Sequence, residues 1–436
     1  MEPLIKIRPP GPNAVAILKR DATVISQSMA RQYPLVLQEA QDVNVWDVDG
    51  NRYLDFTAGF AVMNVGWNHP EVVHAVEQQA AHLSHAAFLS FCSEMPVAFA
   101  ERLVDVLPHG LNRVCLTNSG AESIEAAMKL ARYHTGRKNY ISFYGGFHGR
   151  TYGALSLTAT KSIYRARFGP FLPVIHAPFP DPYRSSGPES SDADVLRTIT
   201  EEIFKKEVPP DEVAAIFVEP IQGEGGYIVP PKPFLGELRT LCDEHGILLI
   251  VDEVQTGCFR TGTFLALEQF KVRPDIVCLS KAIGGGLPLG VMIASDEVST
   301  WLPGSHASTF AGNNVACAAG LAVLSILNSE GFGDQVMRMG KHLRGRLDEL
   351  QQDYTLIGHA RGMGLMAAIE LVRSRATKEP AVEERQAILT DAFENGLALL
   401  PAGGSAIRFC PPLTIKQDDI DTAVEILRRA LEGAVE

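Results

Sequence analysis

The middle of the chain alternates short apolar runs with amphipathic stretches, and that rhythm leaves few architectures open. Apolar runs of strand length fall at 113–117, 140–143, 213–218, 247–251, 275–279 and 289–294. Between several of them apolar residues recur at helical spacing, notably over 121–133 and 234–245. Alternation of this kind predicts an α/β fold, with a mostly parallel sheet covered by helices on both faces. In such sheets ligands bind beyond the carboxyl ends of the strands.

The flanks read differently. Val43 to Val48 alternates like a strand, Asp49-Gly50 is a hairpin turn, and Arg52 to Phe56 continues the pattern. Residues 70–85 have helical spacing. After about residue 330 a long amphipathic helix runs to about Leu350. Short strands follow, at 362–370 and 406–409, and alternate with helices. The expected organisation is an N-terminal segment (1–68) that contributes to a small domain, a large α/β domain (69–330), and a smaller α+β C-terminal domain (331–436). The stretch 178–194 is rich in Pro, Ser, Asp and Gly and reads as a surface loop.

A chain of 436 residues has room for one large and one smaller domain. Its net charge of −12 argues against nucleic acid and against anionic membranes as partners. The seven cysteines include no CxxC pair, and several sit inside apolar runs, as buried thiols do. A reducing cytoplasm is the expected compartment. The first twelve residues hold four prolines and no apolar core of a signal peptide. No window is apolar enough for a bilayer span.

The residues with chemistry to offer lie just after the strands. Asp252 closes the apolar run at 247–251, and Lys281 follows the run at 275–279 with Gly284-Gly285-Gly286 close behind. An acid and an amine at the ends of neighbouring buried strands suit pyridoxal 5'-phosphate. The amine condenses with the aldehyde, and the acid keeps the ring nitrogen protonated so that the ring can take up electrons. Ser119-Gly120-Ala121-Glu122 follows a strand and opens a helix, where backbone N–H groups and the helix dipole favour a phosphate. The same four residues are also an ordinary helix cap. Phe147 stands on the glycine-flanked loop Gly145-Gly146-Phe147-His148-Gly149-Arg150, where it could stack on a flat ring while Arg150 holds a carboxylate. Glu219 ends an apolar run, so it should be partly buried and need a partner. Gln255 could donate to a phenolic oxygen. The loop 304–313 carries hydroxyls able to reach a phosphate.

Other motifs fail. Gly362-Met363-Gly364-Leu365-Met366-Ala367 matches GxGxxA, but apolar residues run straight on to Glu370 with no turn into a helix. His82 and His85 have no third ligand nearby, so no metal is expected.

With these motifs in order, the chain resembles the class III pyridoxal-phosphate aminotransferases, the family of 4-aminobutyrate, ornithine and acetylornithine aminotransferases. The likeness runs over about 33–426. It rests on Asn118-Ser119-Gly120-Ala121-Glu122, Phe147-His148-Gly149-Arg150-Thr151, Glu219-Pro220-Ile221-Gln222-Gly223-Glu224-Gly225-Gly226, Asp252-Glu253-Val254-Gln255-Thr256-Gly257 and Ser280-Lys281. The resemblance implies fold type I and a homodimer, or a dimer of dimers, with shared active sites. It also implies residue roles. Lys281 would carry the internal aldimine and shuttle the proton, and Asp252 would pair with the pyridine nitrogen. Val254 and Phe147 would flank the ring, with His148 and Glu219 beside it. Gln255 would bond the phenolic oxygen. Ser119, Gly120 and Ala121 would bind the phosphate, and Thr309 would reach the phosphate in the partner subunit. Arg150 would hold the distal carboxylate of an ω-amino acid, and Arg408 the α-carboxylate of 2-oxoglutarate. Glu224 would pair with Arg408 when an ω-amino acid is bound.

Phe60 falls where 4-aminobutyrate enzymes have an aliphatic residue and ornithine enzymes a tyrosine. An apolar side chain there cannot hydrogen-bond an α-carboxylate or α-amine, which disfavours ornithine. The expected activity is a ping-pong transfer from an ω-amino acid, 4-aminobutyrate leading, to 2-oxoglutarate. The alternatives are a broad-specificity amino-acid racemase of the same fold, which needs no acceptor acid, and an ornithine or other diamine aminotransferase. Asn314 stands where the family usually has proline.

Overall fold

The computed structural model describes residues 2–184 and 193–435. The stretch expected as a loop over 178–194 therefore lies partly outside the described residues. The backbone divides into two compact units, Pro70–Asp334 and a second made of Met1–His69 with Gln335–Glu436.

The larger unit is built on seven strands: β1 (Arg113–Thr117), β2 (Asn139–Phe143), β3 (Val174–Ala177), β4 (Val213–Val218), β5 (Leu248–Asp252), β6 (Ile276–Leu279) and β7 (Gly290–Ala294). Their order across the sheet is β1-β7-β6-β5-β4-β2-β3. Strands β2 to β6 are parallel, and β7 runs antiparallel to both of its neighbours. Every residue of β4, β5, β6 and β7 is buried. A central strand covered on both faces has no polar side to display, which is why these segments read as unbroken apolar runs. Strand β3 escaped the sequence reading. It is a four-residue edge strand, only its last residue is buried, and it pairs with β2 alone. So short and half-wet a segment carries no usable period.

Helix α1 (Gly120–Thr135) starts directly after β1 and buries a stripe that includes Ile124, Ala127, Met128 and Leu130. It ends at Gly136, whose φ of 69° is the left-handed conformation that glycine adopts without strain.

In the smaller unit the N-terminal strands Leu37–Gln41, Asn44–Asp47 and Arg52–Asp55 form a meander, and the C-terminal strand Leu397–Ala398 joins it in parallel beside Leu54 and Asp55. Tyr33 and Tyr53 both stack on Phe393 of the helix Val382–Glu394, at 4.5 and 5.1 Å between ring centres. A second sheet contains Ile357–Met363, Met366–Ser374, Ala406–Phe409 and Leu400–Ala402.

The single strand expected over 362–370 is in fact the end of one strand, a tight turn and the start of the next. Gly362 and Gly364 take φ of 141° and 56°, so the chain reverses inside an apolar run. A Cβ on Gly362 would meet the carbonyl oxygen of Met366 at 2.3 Å. The glycines of the GxGxxA match thus make a hairpin. Among the described residues no single helix is long and apolar enough to cross a membrane.

Candidate active site

The carboxyl ends of β2, β4, β5 and β6 deliver the expected residues to one edge of the large unit's sheet. Asp252 is the last residue of β5 and is buried. In register it lies opposite Cys278 of β6, three residues before Lys281, so acid and amine leave neighbouring strands together.

Two donors hold the Asp252 carboxylate. Oδ1 accepts from the Val254 N–H at 3.0 Å, and Oδ2 accepts from His148 Nδ1 at 2.7 Å. His148 is itself buried, and its backbone N–H donates to Thr158 Oγ1 at 2.9 Å. Burial works against a charged imidazole there. The hydrogen bond and charge of Asp252, with the charge of Glu219, outweigh it and hold the His148 pKa above its ordinary value.

Glu219 follows β4 and ties the neighbouring turns together. Its Oε1 accepts from the Phe147 N–H at 2.9 Å and its Oε2 from the Gly223 N–H at 2.8 Å. Burial pushes its pKa up, opposed by the charge of His148 and reinforced by that of Asp252. Its role is to anchor the loop that carries Phe147.

At the start of α1, Ser119 caps the helix by accepting from the Glu122 N–H at 3.2 Å. Glu122 reaches back to Asn118, accepting from its N–H at 2.7 Å and its side-chain amide at 2.8 Å. The cap and the turn expected to take a phosphate are therefore the same residues. The N–H groups of Gly120 and Ala121 stand ahead of the first intrahelical bond, at the positive end of the dipole. Gly120 has a steric reason to be glycine: a Cβ would meet Val254 Cγ1 at 2.9 Å.

Lys281 follows Ser280, whose hydroxyl donates to the Leu289 carbonyl at 2.8 Å. The lysine has φ of 48°, an uncommon conformation for a residue with a Cβ, and opens a short 3-10 turn that ends at Gly285. Strain at such a position is characteristic of side chains held for a task. Gln255 accepts at Oε1 from the hydroxyl of Tyr227, which is fully buried, at 2.8 Å. With the amide in this orientation the Nε2 end is left to donate elsewhere. Tyr227 carried no signal in the sequence beyond following the glycines of its turn.

Thr309 is exposed, while its neighbour Ser308 accepts at Oγ from Asn118 Nδ2 at 3.0 Å, so the 304–313 loop abuts the turn that opens α1. Asn313 caps the helix Asn314–Leu327 by accepting from the Val315 and Ala316 N–H groups, each at 3.0 Å. Asn314, at the first helical position where proline is tolerated, donates to Ser93 Oγ at 2.6 Å.

The expected substrate residues fall into two groups. In the larger unit Arg150 is exposed, with its guanidinium 4.2 Å from the ring centre of Tyr164 and 5.9 Å from that of Phe147. Glu224 Oε1 accepts from Lys161 Nζ at 2.8 Å and from the Tyr164 hydroxyl at 3.1 Å. Lys161 and Tyr164 were not singled out in the sequence, because they stand more than ten residues past the glycine loop on a short helical turn. In the smaller unit Arg408 is buried in the strand Ala406–Phe409, and its guanidinium lies 5.3 Å from the ring centre of Phe60. Phe60 is 54% exposed and sits in a turn, Ala58–Ala61, whose four φ angles are all between 43° and 65°.

A buried, doubly held carboxylate, a lysine at the end of the adjacent strand, and a helix start narrowed by glycine fit pyridoxal 5'-phosphate. On a mostly parallel α/β sheet they define a fold type I enzyme that uses it. The chain belongs to the class III aminotransferases, whose family model matches residues 25–431. It is 39% identical to a 5-aminovalerate aminotransferase of Pseudomonas aeruginosa, over 96% of this chain and 98% of that protein. It is 38% identical to a probable 4-aminobutyrate aminotransferase of Bacillus subtilis (95% and 97% covered) and 36% identical to a leucine/methionine racemase of Thermococcus litoralis (96% and 96%). Among solved structures it is similar to taurine:2-oxoglutarate aminotransferase from Bifidobacterium kashiwanohense in complex with PLP and glutamate. The TM-score there is 0.91 at 29% identity, with 96% of this chain and 98% of that one covered. The cofactor is pyridoxal 5'-phosphate.

Proposed function

We propose that this enzyme transfers the amino group of an ω-amino acid, with 4-aminobutyrate the leading donor, to 2-oxoglutarate in a ping-pong reaction. The observation that carries the reading is Arg150, an exposed guanidinium on an aromatic shelf of Phe147 and Tyr164, on the same loop as the backbone that Glu219 anchors. A cation placed there suits a carboxylate remote from the reacting amine. Relatives that act on 4-aminobutyrate and 5-aminovalerate support the choice, since both substrates carry a terminal amine and a single distal carboxylate.

Bound pyridoxal phosphate supplies an aldehyde for amines and a ring that accepts electrons. Asp252, held by His148 and the Val254 N–H, keeps a proton on the ring nitrogen. Lys281 would hold the cofactor through Nζ and, once a substrate amine has displaced it, take the proton from the substrate's amine-bearing carbon. The Gly120 and Ala121 N–H groups and the Ser119 turn bind the phosphate. Val254 and Phe147 flank the ring, and Gln255 donates to its phenolic oxygen. Arg150 binds the distal carboxylate and Arg408 the α-carboxylate of the keto acid. Glu224 disfavours substrates that carry an α-carboxylate, by like charge.

Thr309 completes a phosphate site in a second subunit, so the working enzyme is a homodimer or a dimer of dimers. The exposure of Thr309 and of large apolar side chains in the same unit, Leu89, Phe91 and Phe310, supports this. Light scattering at assay concentration checks it, and a fully active monomer excludes it. The free thiols, five of them buried, suit the cytoplasm.

The deciding assay supplies 4-aminobutyrate and 2-oxoglutarate to the holoenzyme and follows glutamate. A second reading, racemisation of free amino acids, is favoured by the racemase among the relatives. Incubation with one L-amino acid and no keto acid separates the two. Formation of the D-form without any amino transfer replaces the first reading with the second.

A further inference from the structure

Tyr164 lies on the short turn Ser162–Arg165 and touches both kinds of charge in the large unit's substrate group. Its hydroxyl donates to Glu224 Oε1 at 3.1 Å, beside the Lys161 ammonium at 2.8 Å on the same oxygen. Its ring face carries the Arg150 guanidinium at 4.2 Å and, at 5.7 Å, Lys161. Phe147 packs edge-on against it, 5.9 Å between ring centres. Arg150 is exposed, so the aromatic shelf is what narrows its range of orientations, since a bare arginine there would sample many rotamers. Glu224 is 17% exposed at its side chain, and a carboxylate that far from water is directed by its donors.

We propose that Tyr164 is a specificity-determining positioning residue, whose hydroxyl sets the Glu224 carboxylate and whose ring sets the Arg150 guanidinium. The inference rests on the roles given to Arg150 and Glu224 above and adds a residue through which both are tuned. The two ends of the side chain are chemically separable. Loss of the hydroxyl leaves Glu224 with fewer donors, so more of its charge is felt by an incoming α-carboxylate. Loss of the ring removes the shelf under Arg150 and loosens the grip on a distal carboxylate.

The test uses holoenzyme and single-turnover absorbance, with 4-aminobutyrate and L-glutamate as separate probes. Cofactor absorbance and melting temperature are recorded for each variant to confirm that it is loaded and folded. Tyr164→Phe keeps the ring, so the apparent dissociation constant for 4-aminobutyrate should move less than about twofold. That for L-glutamate should rise about threefold or more, the scale of a lost hydrogen bond to a partly exposed charge. Tyr164→Leu should weaken both probes, with the 4-aminobutyrate constant raised about fivefold or more. Equal effects of Tyr164→Phe on the two probes overturn the proposal, as does a Tyr164→Leu enzyme that binds 4-aminobutyrate like wild type. Should wild type react with no ω-amino acid at all, the donor assignment fails separately. The L-glutamate arm of Tyr164→Phe then decides this proposal alone, and an unchanged constant there refutes it.

Discussion

His148 Nδ1 lies 2.7 Å from Asp252 Oδ2, and both side chains are at most 5% exposed. The histidine is thus the second holder, with the Val254 N–H, of the acid proposed to serve the cofactor ring, and its own charge depends on that acid. Its folded pKa is raised above the ordinary value of about 6.5. A raised value means that the charged form contributes stability that is full below about 6.5 and is lost as pH rises through the folded value. Glu219, also raised, adds a slope of the same sign that begins at lower pH, from its ordinary value of 4.5, and runs up to its folded value of about 7. The holoenzyme's melting temperature should therefore fall as pH climbs above 6.5, and His148→Gln should flatten that fall. Melting curves at stepped pH check this; an unchanged slope in the variant contradicts it.

Lys281→Ala should remove at least ~10³-fold of activity, because it deletes the amine that holds the cofactor and the group that moves the proton. In the wild type, borohydride should fix the cofactor to Lys281, read by peptide mass. Label on any other lysine refutes the assignment.

Gly120→Ala places a methyl 2.9 Å from Val254 Cγ1 and 3.1 Å from Cγ2. Valine is stiff at χ1 and cannot simply swing away. The variant should lose about 1–3 kcal/mol of stability, the usual range for overpacking, and should retain cofactor less tightly. Thermal melts and a cofactor titration measure the two effects. A variant with wild-type values in both would show that this approach does not constrain the turn.

Arg408→Ala should act on one half of the reaction. Its loss should weaken the half-reaction with 2-oxoglutarate or glutamate by about 2–5 kcal/mol, the range for a desolvated charge pair, and that with 4-aminobutyrate much less. Single-turnover absorbance resolves the halves. Equal losses in both would mean that Arg408 is structural.

Much of this was legible along the chain, for a local reason. A buried parallel strand must be apolar throughout, so an Asp at the end of one announces its own position, and Asp252 and Lys281 could be placed from the runs before them. The Ser119-Gly120-Ala121-Glu122 turn was equally visible, since a helix cap is written within four residues. Where local signal was thin, the reading failed. The edge strand Val174–Ala177 is too short and wet to show a period, and the reversal between Met363 and Met366 hides inside an apolar run because glycine conformations leave no mark on hydropathy.

Periodicity and backbone propensity act over a few residues, so the buried central strands, the turns that follow them and the residue types those turns present were readable along the chain, while the edge strand and the glycine reversal were not. Only the tertiary structure decided who meets whom. His148 and Asp252 are 104 residues apart, Tyr164 and Glu224 are 60, and Tyr227 and Gln255 are 28. The order of strands in the sheet brings each pair together. A buried polar group must find a partner somewhere, but its identity depends on which strand ends are neighbours, and no window of sequence carries that information.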